Sequence, residues 1–125
     1  MSANNKKQFG VWMDSHHATV VGKENENSSD FIVLGHAKNE GASPNSNEKT
    51  EHNEEKTLLH KFFKEIATHM QNVDELHVTG TGIAQEQFIH YLAETPHYKN
   101  VVAKESTSNK MSDEKLLEYV TAQFN

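Results

Sequence analysis

The order of short and long apolar patterns constrains the fold of this chain more than any single motif. Three short segments come first, at 8–14, 18–22 and 31–35, and polar or turn-forming residues separate them. Apolar or alternating runs of this length predict β-strands. The link between the first two is short enough for a hairpin. We therefore expect the chain to open with an antiparallel meander of three strands.

The first segment indicates which faces of this sheet are covered. Phe9, Val11 and Met13 alternate onto one face, whereas Trp12 lies on the other. Successive residues of a strand point to opposite faces, so apolar side chains on both faces predict that both are covered. We interpret Trp12 as a core residue.

A longer pattern of helical spacing occupies the middle of the chain. The apolar residues recur as one stripe with a period of 3.6 residues, which predicts an amphipathic helix. Glu54 and Glu55 fall in its first turns, where the helix dipole favours negative charge. The residues of the stripe are Leu58, Leu59, Phe62, Phe63, Ile66, Ala67 and Met70.

Strand and helix patterns alternate in the second half. A strand is predicted at 75–79, a helix at 84–93 and a last strand at 101–103. Ser112 is a good N-cap for a final helix, with Leu116, Leu117, Val120 and Phe124 facing inward. Alternation of β and α predicts parallel strands joined by right-handed crossovers. The order is therefore βββαβαβα.

A polar stretch at 36–53 separates the meander from the first helix. It has no apolar residue larger than alanine, and it exceeds the usual length of a connection. We predict a long loop that is mobile in isolation and available as a contact surface.

Charge and composition exclude several classes of protein. Twelve basic residues stand against eighteen acidic ones, the net charge is -6, and every basic residue is lysine. Proteins that read DNA sequence usually carry a basic surface rich in arginine, so sequence-specific DNA binding is not expected. The absence of cysteine excludes disulfides and thiolate chemistry. No run approaches the ~18 apolar residues of a membrane span, which leaves a cytoplasmic location as the default.

Three patches of sequence carry a resemblance to a known family. They are 11–18 (VWMDSHHA), 79–84 (TGTGIA) and a tail that starts with 104–116 and runs to Phe124. In this order they resemble a family of small bacterial proteins usually labelled "translational machinery protein". The domain of that family is similar to the middle domain of archaeal and eukaryotic peptide-chain release factors and of Pelota.

The resemblance implies a ribonuclease H-like fold. The expected architecture is a three-layer α/β domain with a five-stranded mixed sheet in the order 3-2-1-4-5. The domain would span residues 8–125, after a disordered N-terminus at 1–7. Ribosomes or translation factors are the implied partners.

One departure from the release factors limits what the resemblance implies. Their middle domain carries a Gly-Gly-Gln tripeptide in the loop before the first long helix, where it directs water onto the peptidyl-tRNA ester. The corresponding stretch here, 36–53, contains no such tripeptide. Peptide release is therefore not expected. Pelota also lacks the tripeptide, so a non-hydrolytic ribosomal role remains open.

A nuclease of the ribonuclease H superfamily is the main alternative. Two-metal chemistry needs several carboxylates around cations ~3.5–4 Å apart. Asp14, at the end of the first predicted strand, is placed as the first ligand, but the end of the fourth strand reads Thr79, Gly80, Thr81 and Gly82. One carboxylate does not make a site. The alternative interpretation is that Asp14 is a turn residue that caps the hairpin backbone.

The remaining candidates are binding residues. Gly80, Thr81 and Gly82 precede a helix and could hold an anion at its N-terminus, although tight α/β turns need glycine for structural reasons as well. His16 and His17 follow Asp14 at the same predicted end of the sheet. Nine histidines lack the convergent spacing of a zinc site and are read as exposed polar residues.

We therefore predict a non-enzymatic binding module of translation with no catalytic residue, metal or cofactor. Its contact surfaces would be the 36–53 loop, the Asp14, His16 and His17 turn and the Gly80–Gly82 turn. A self-associating structural protein is the third alternative.

Overall fold

The computed structural model describes residues 7–14, 16–23, 30–39 and 48–124, with the side chains of all but 48–57. These residues form five strands and three helices in the predicted order. The elements are β1 (Gln8–Met13), β2 (His17–Lys23), β3 (Phe31–Lys38), α1 (Glu48–Thr68), β4 (Glu75–Gly80), α2 (Ile83–Glu94), β5 (Val102–Thr107) and α3 (Asp113–Phe124).

The five strands form one mixed sheet in the order β3-β2-β1-β4-β5, as predicted. β1 pairs antiparallel with β2, and β2 pairs antiparallel with β3. β4 pairs parallel with β1 on its other side, and β5 pairs parallel with β4. The crossover helices of the second half explain the parallel pairs, because a parallel connection must return along the sheet.

Helices cover both faces, so the predicted three-layer architecture is confirmed. Val11 and Met13 pack with residues of α1 and α2 in the larger core cluster. Trp12, between them in sequence, packs instead with Leu116 and Val120 of α3. Trp12 is only 3% exposed, which confirms its interpretation as a core residue.

The predicted apolar stripe of α1 faces the sheet. Phe62, Phe63 and Ile66 are almost fully buried. The Phe63 ring lies 5.4 Å from that of Phe88 and 5.5 Å from that of Tyr91, both on α2. Aromatic contacts therefore join the two helices on this face of the sheet.

The predicted loop at 36–53 is wrong at both ends. β3 continues through His36 to Lys38, whose residues pair with Thr19 to His17 of β2. α1 begins at Glu48, several residues before its first apolar position. An edge strand tolerates polar side chains, and residues such as glutamate and lysine extend a helix without apolar contacts. The middle of the predicted loop, 40–47, and its expected mobility lie outside the described residues.

Two hydrogen bonds concern the first described residue and the start of the last helix. Of the predicted disordered segment 1–7, only Lys7 is described, and its backbone N–H donates to the Asp74 carboxylate at 2.8 Å. At α3, the Ser112 hydroxyl accepts from the Lys115 N–H at 3.2 Å, which confirms the predicted N-cap.

No helix in the described part of the chain is long and apolar enough to cross a membrane.

Candidate binding surface at the carboxyl end of the sheet

Parallel pairing brings the predicted site residues to one end of the sheet. Met13, the last residue of β1, is in register with Gly80, the last residue of β4. Asp14 and Thr81 therefore leave the sheet side by side, and ligands of open α/β sheets bind beyond this carboxyl edge. We define the candidate surface as Asp14, His16 and His17 together with Gly80, Thr81, Gly82 and Ile83.

Asp14 stabilises the turn between β1 and β2. Its Oδ1 atom accepts hydrogen bonds from the backbone N–H groups of His16, at 2.8 Å, and His17, at 2.6 Å. The Asp14 N–H donates to the His17 carbonyl at 2.9 Å. This confirms the interpretation of Asp14 as a turn residue. The His16 and His17 side chains are left exposed beside it.

Gly80 is required by the close approach of two strands. A Cβ atom built on Gly80 would lie 1.9 Å from the Met13 carbonyl oxygen. Glycine is required at position 82 for a different reason. Its φ of +144° is a backbone conformation that other residues rarely adopt. Both glycines thus have structural roles in the turn, and anion binding at this helix start stays a prediction.

The buried Gln85 side chain fixes the Gly80–Gly82 turn to the neighbouring strand. It is 0% exposed. Its Oε1 atom accepts from the Gly82 N–H at 2.9 Å, and its Nε2 atom donates to the Ser106 carbonyl of β5 at 2.9 Å. Gln85 was not among the predicted site residues. The signal in the sequence is its place at the third position of a helix, where glutamine is a known capping residue.

A network of polar side chains supports the turn from the opposite face of the sheet. The Ser106 hydroxyl lies 2.9 Å from His77 Nε2, donates to Thr79 Oγ1 at 2.9 Å and lies 2.6 Å from the Tyr119 hydroxyl. Thr79 in turn bonds the Ser108 hydroxyl at 2.7 Å. Satisfied networks of this kind favour a single arrangement of the elements that they join, here β4, β5 and α3.

The prediction that the histidines are exposed is wrong for His77, whose side chain is buried and only 6% exposed. Polar His77 and Thr79 alternate with apolar Leu76 and Val78, a pattern that indicates one solvent-facing side. In the structure α3 covers that side, and the Tyr119 ring lies 5.7 Å from the His77 ring. His36 also differs from its predicted loop position, since it lies on β3 with Nε2 3.1 Å from an Asp113 carboxylate oxygen.

Acid is expected to destabilise the fold through His77. Burial, and secondarily the Lys104 ammonium, lowers the pKa of His77 below its ordinary value. The unfolded chain therefore binds this proton more readily, and the free energy of unfolding should fall as the pH drops below about 6.5. Urea unfolding at pH 7.5 and 5.5 measures this effect. His77→Gln should flatten the pH dependence, and a wild-type slope in that variant would contradict the assignment; His16→Gln, at an exposed site, is the control.

Exposed groups surround the two turns. Ile83, the first residue of α2, is 73% exposed, an unusual position for a large apolar side chain at a helix start. Thr81 is also exposed. The sequence pattern predicted a helix start at Ala84, one residue later, and Ile83 was not among the predicted site residues. Among the described residues, no group of three or more His, Asp or Glu side chains is placed to hold a metal ion.

Comparison with known proteins identifies a similar fold but no sequence match. No protein-family model matches the sequence, and no curated protein matches it. Pelota of Thermoplasma acidophilum is similar in structure, with a TM-score of 0.60 and 17% identity over 93% of this chain. For Pelota of Archaeoglobus fulgidus the TM-score is 0.56, with 14% identity over 97% of this chain. For the archaeal translation termination factor aRF1 the TM-score is 0.59, with 13% identity over 96% of this chain.

These similarities confirm the fold that the resemblance implied. The aligned region is only 32% of the first Pelota chain and 35% of each of the other two proteins. This chain therefore spans about a third of the length of those proteins. It has the fold of one part of Pelota and aRF1, consistent with their middle domain.

Proposed function

We propose that this protein is a non-enzymatic binding module of translation that associates with the ribosome or a translation factor in the cytoplasm. The observation that carries the proposal is the similarity of nearly the whole chain to part of Pelota and part of a translation termination factor. The chain has no Gly-Gly-Gln tripeptide. Binding without peptide release is thus the activity that fits this sequence on this fold.

The carboxyl end of the sheet is the proposed contact surface. Asp14, Gly80 and Gln85 are used internally, by hydrogen bonds or by close packing. They hold the turns in place, while exposed side chains on those turns remain available to a partner: His16, His17, Thr81 and Ile83. A rigid support for exposed contact residues lowers the ordering cost of binding.

The chemistry of the chain also determines what kind of contact is expected. With a net charge of -6 and no arginine, release of counterions from phosphates cannot dominate the affinity. Apolar and hydrogen-bonding contacts, centred on Ile83, should contribute more. Binding should consequently depend weakly on salt compared with binding by a polycation.

Ile83→Glu is the substitution that tests the surface. It removes the exposed apolar side chain and places a negative charge there, and an acidic residue in the first turn suits the helix dipole, so the fold should be retained. Co-sedimentation with purified ribosomes should fall at least about tenfold, the loss expected for a binding hot spot of 1.4 kcal/mol or more.

Val102→Glu is the matched control, because Val102 is a 54% exposed apolar residue at the start of β5, at the other end of the sheet. It should bind like the parent. Equal binding by the Ile83→Glu variant, or binding that falls steeply with salt, would show that the proposed surface is wrong.

Asp14→Asn separates this proposal from the nuclease alternative. Asparagine keeps a side-chain oxygen that can accept from His16 and His17, so the free energy of unfolding should change by less than about 0.5 kcal/mol. We expect neither the parent nor the variant to cleave RNA, DNA or hybrid duplex with magnesium or manganese. Reproducible cleavage by the parent that Asp14→Asn abolishes would favour the nuclease.

A further inference from the structure

A concave site lies at the opposite end of the sheet from the candidate surface. It is a pocket of about 300 Å³ between the first residues of β1, β4 and β5 and the end of α3. This volume is at the lower limit of the ~300–1,000 Å³ typical of small-molecule sites. Its polar lining comes from Gln8, Glu75, His77, Lys104 and Gln123, and Phe124 adds an apolar wall.

The buried His77 ring lines this pocket, and its two nitrogens have different surroundings. Nε2 bonds the Ser106 hydroxyl at 2.9 Å. With the single Ser106 hydroxyl proton donated to Thr79, Ser106 can only accept from His77, and on this basis we assign the hydrogen to Nε2 and the acceptor role to Nδ1. Nδ1 has no hydrogen-bond partner among the described residues, yet these residues contain no fully buried side-chain nitrogen or oxygen without one. Nδ1 must therefore reach the pocket that His77 lines.

Charges of both signs flank this acceptor. Glu75 lies two residues before His77 on the same face of β4, and its carboxylate accepts from the Gln8 side chain at 2.8 Å. Lys104 is the register partner of His77 on β5. The pocket thus presents two acceptors along one strand and an ammonium on the next. A ligand that fits must carry a cationic donor and an anionic group a short distance apart.

We propose that this pocket binds a small zwitterion of the α-amino acid type. The ligand's ammonium lies between the Glu75 carboxylate and His77 Nδ1, and its carboxylate pairs with the Lys104 ammonium. Charge-assisted hydrogen bonds of this kind are the strong ones. The Phe124 side chain contacts the ligand's side chain. This site is independent of the proposed ribosomal contact.

Titration of the isotope-labelled full chain with the free amino acids tests the proposal. NMR signals of the His77 ring and of the backbone at 75, 77 and 104 should shift saturably for at least one amino acid, with a Kd of about 1 mM or tighter. The matching carboxylic acid without its amine, the matching amine without its carboxylate and inorganic phosphate should each bind at least about tenfold more weakly.

Two pairs of variants complete the test. Glu75→Gln and Lys104→Gln should each weaken binding at least about tenfold, as expected for a lost charge-assisted bond. Glu118→Gln and Lys110→Gln remove the same charges at exposed positions outside the pocket and should bind like the parent. No saturable shift up to ~20 mM ligand, wild-type binding by the first pair, or equal binding of phosphate would each overturn the proposal.

Discussion

Replacement of Gly80 by alanine is expected to lower the free energy of unfolding by about 3 kcal/mol or more, at the upper end of overpacking effects. The new methyl group would lie 1.9 Å from the Met13 carbonyl oxygen. That atom belongs to the backbone of β1, so relief requires the β1–β4 pair to separate where the candidate surface begins. Urea unfolding of the parent and the variant measures the difference.

Gly35→Ala is the control for this experiment. A Cβ atom there would approach the His69 ring at 2.4 Å. A side chain can rotate away where a strand backbone cannot, so the loss should be smaller than at Gly80. Parental stability in Gly80→Ala would contradict the close approach of β1 and β4, and with it the position of the candidate surface.

Gln85→Leu is expected to have the second largest effect, about 2–4 kcal/mol. Leucine is similar in size but leaves the Gly82 N–H and the Ser106 carbonyl without their partner. Each buried group left unsatisfied costs about 1–3 kcal/mol. The substitution should also loosen the Gly80–Gly82 turn, which faster amide exchange at Gly82 would detect.

Gln87→Leu is the matched control for Gln85→Leu. Gln87 lies on the same helix but is exposed, so the same substitution should change stability by less than about 0.5 kcal/mol. If Gln85→Leu were equally mild, the assigned bridge between α2 and β5 would be wrong.

The order of the elements could be predicted because apolar periodicity records it, whereas the strand order of the sheet followed from the family resemblance. The alternating residues from Phe9 to Met13 are buried in the structure, and so is the stripe from Phe62 to Met70, while Leu58 and Leu59 at its start are half-buried. The ends of helices and strands were harder to predict where polar residues continue the element. β5 extends to Thr107 on a largely exposed edge, and α1 starts with polar residues only. Neither extension leaves an apolar pattern in the sequence.

One practical consequence concerns the polar connection before α1. Replacement of residues 38–50 by a flexible linker would remove the end of β3 and the start of α1. A loss of binding in that variant could then come from damage to the fold as well as from the loss of a contact with the partner. A replacement meant to test this connection must lie within 40–47.

The candidate surface could be predicted only in part. Asp14 and the glycines lie next to recognisable strand ends and were therefore predicted as site residues. The side chains that support them did not stand out, because their partners are distant in sequence: Ser106 is 21 residues from Gln85 and 29 from His77. Contacts between separate elements depend on the strand register, which a single sequence does not display.

The most direct test of the proposed role in translation is the migration of the tagged parent protein in a density gradient of cell lysate. We predict that it migrates with ribosomal particles, that this association persists at raised salt, and that the Ile83→Glu variant remains near the top of the gradient. A parent protein found only in the top fractions, at low and raised salt alike, would contradict the proposal that this chain is a ribosome-binding module.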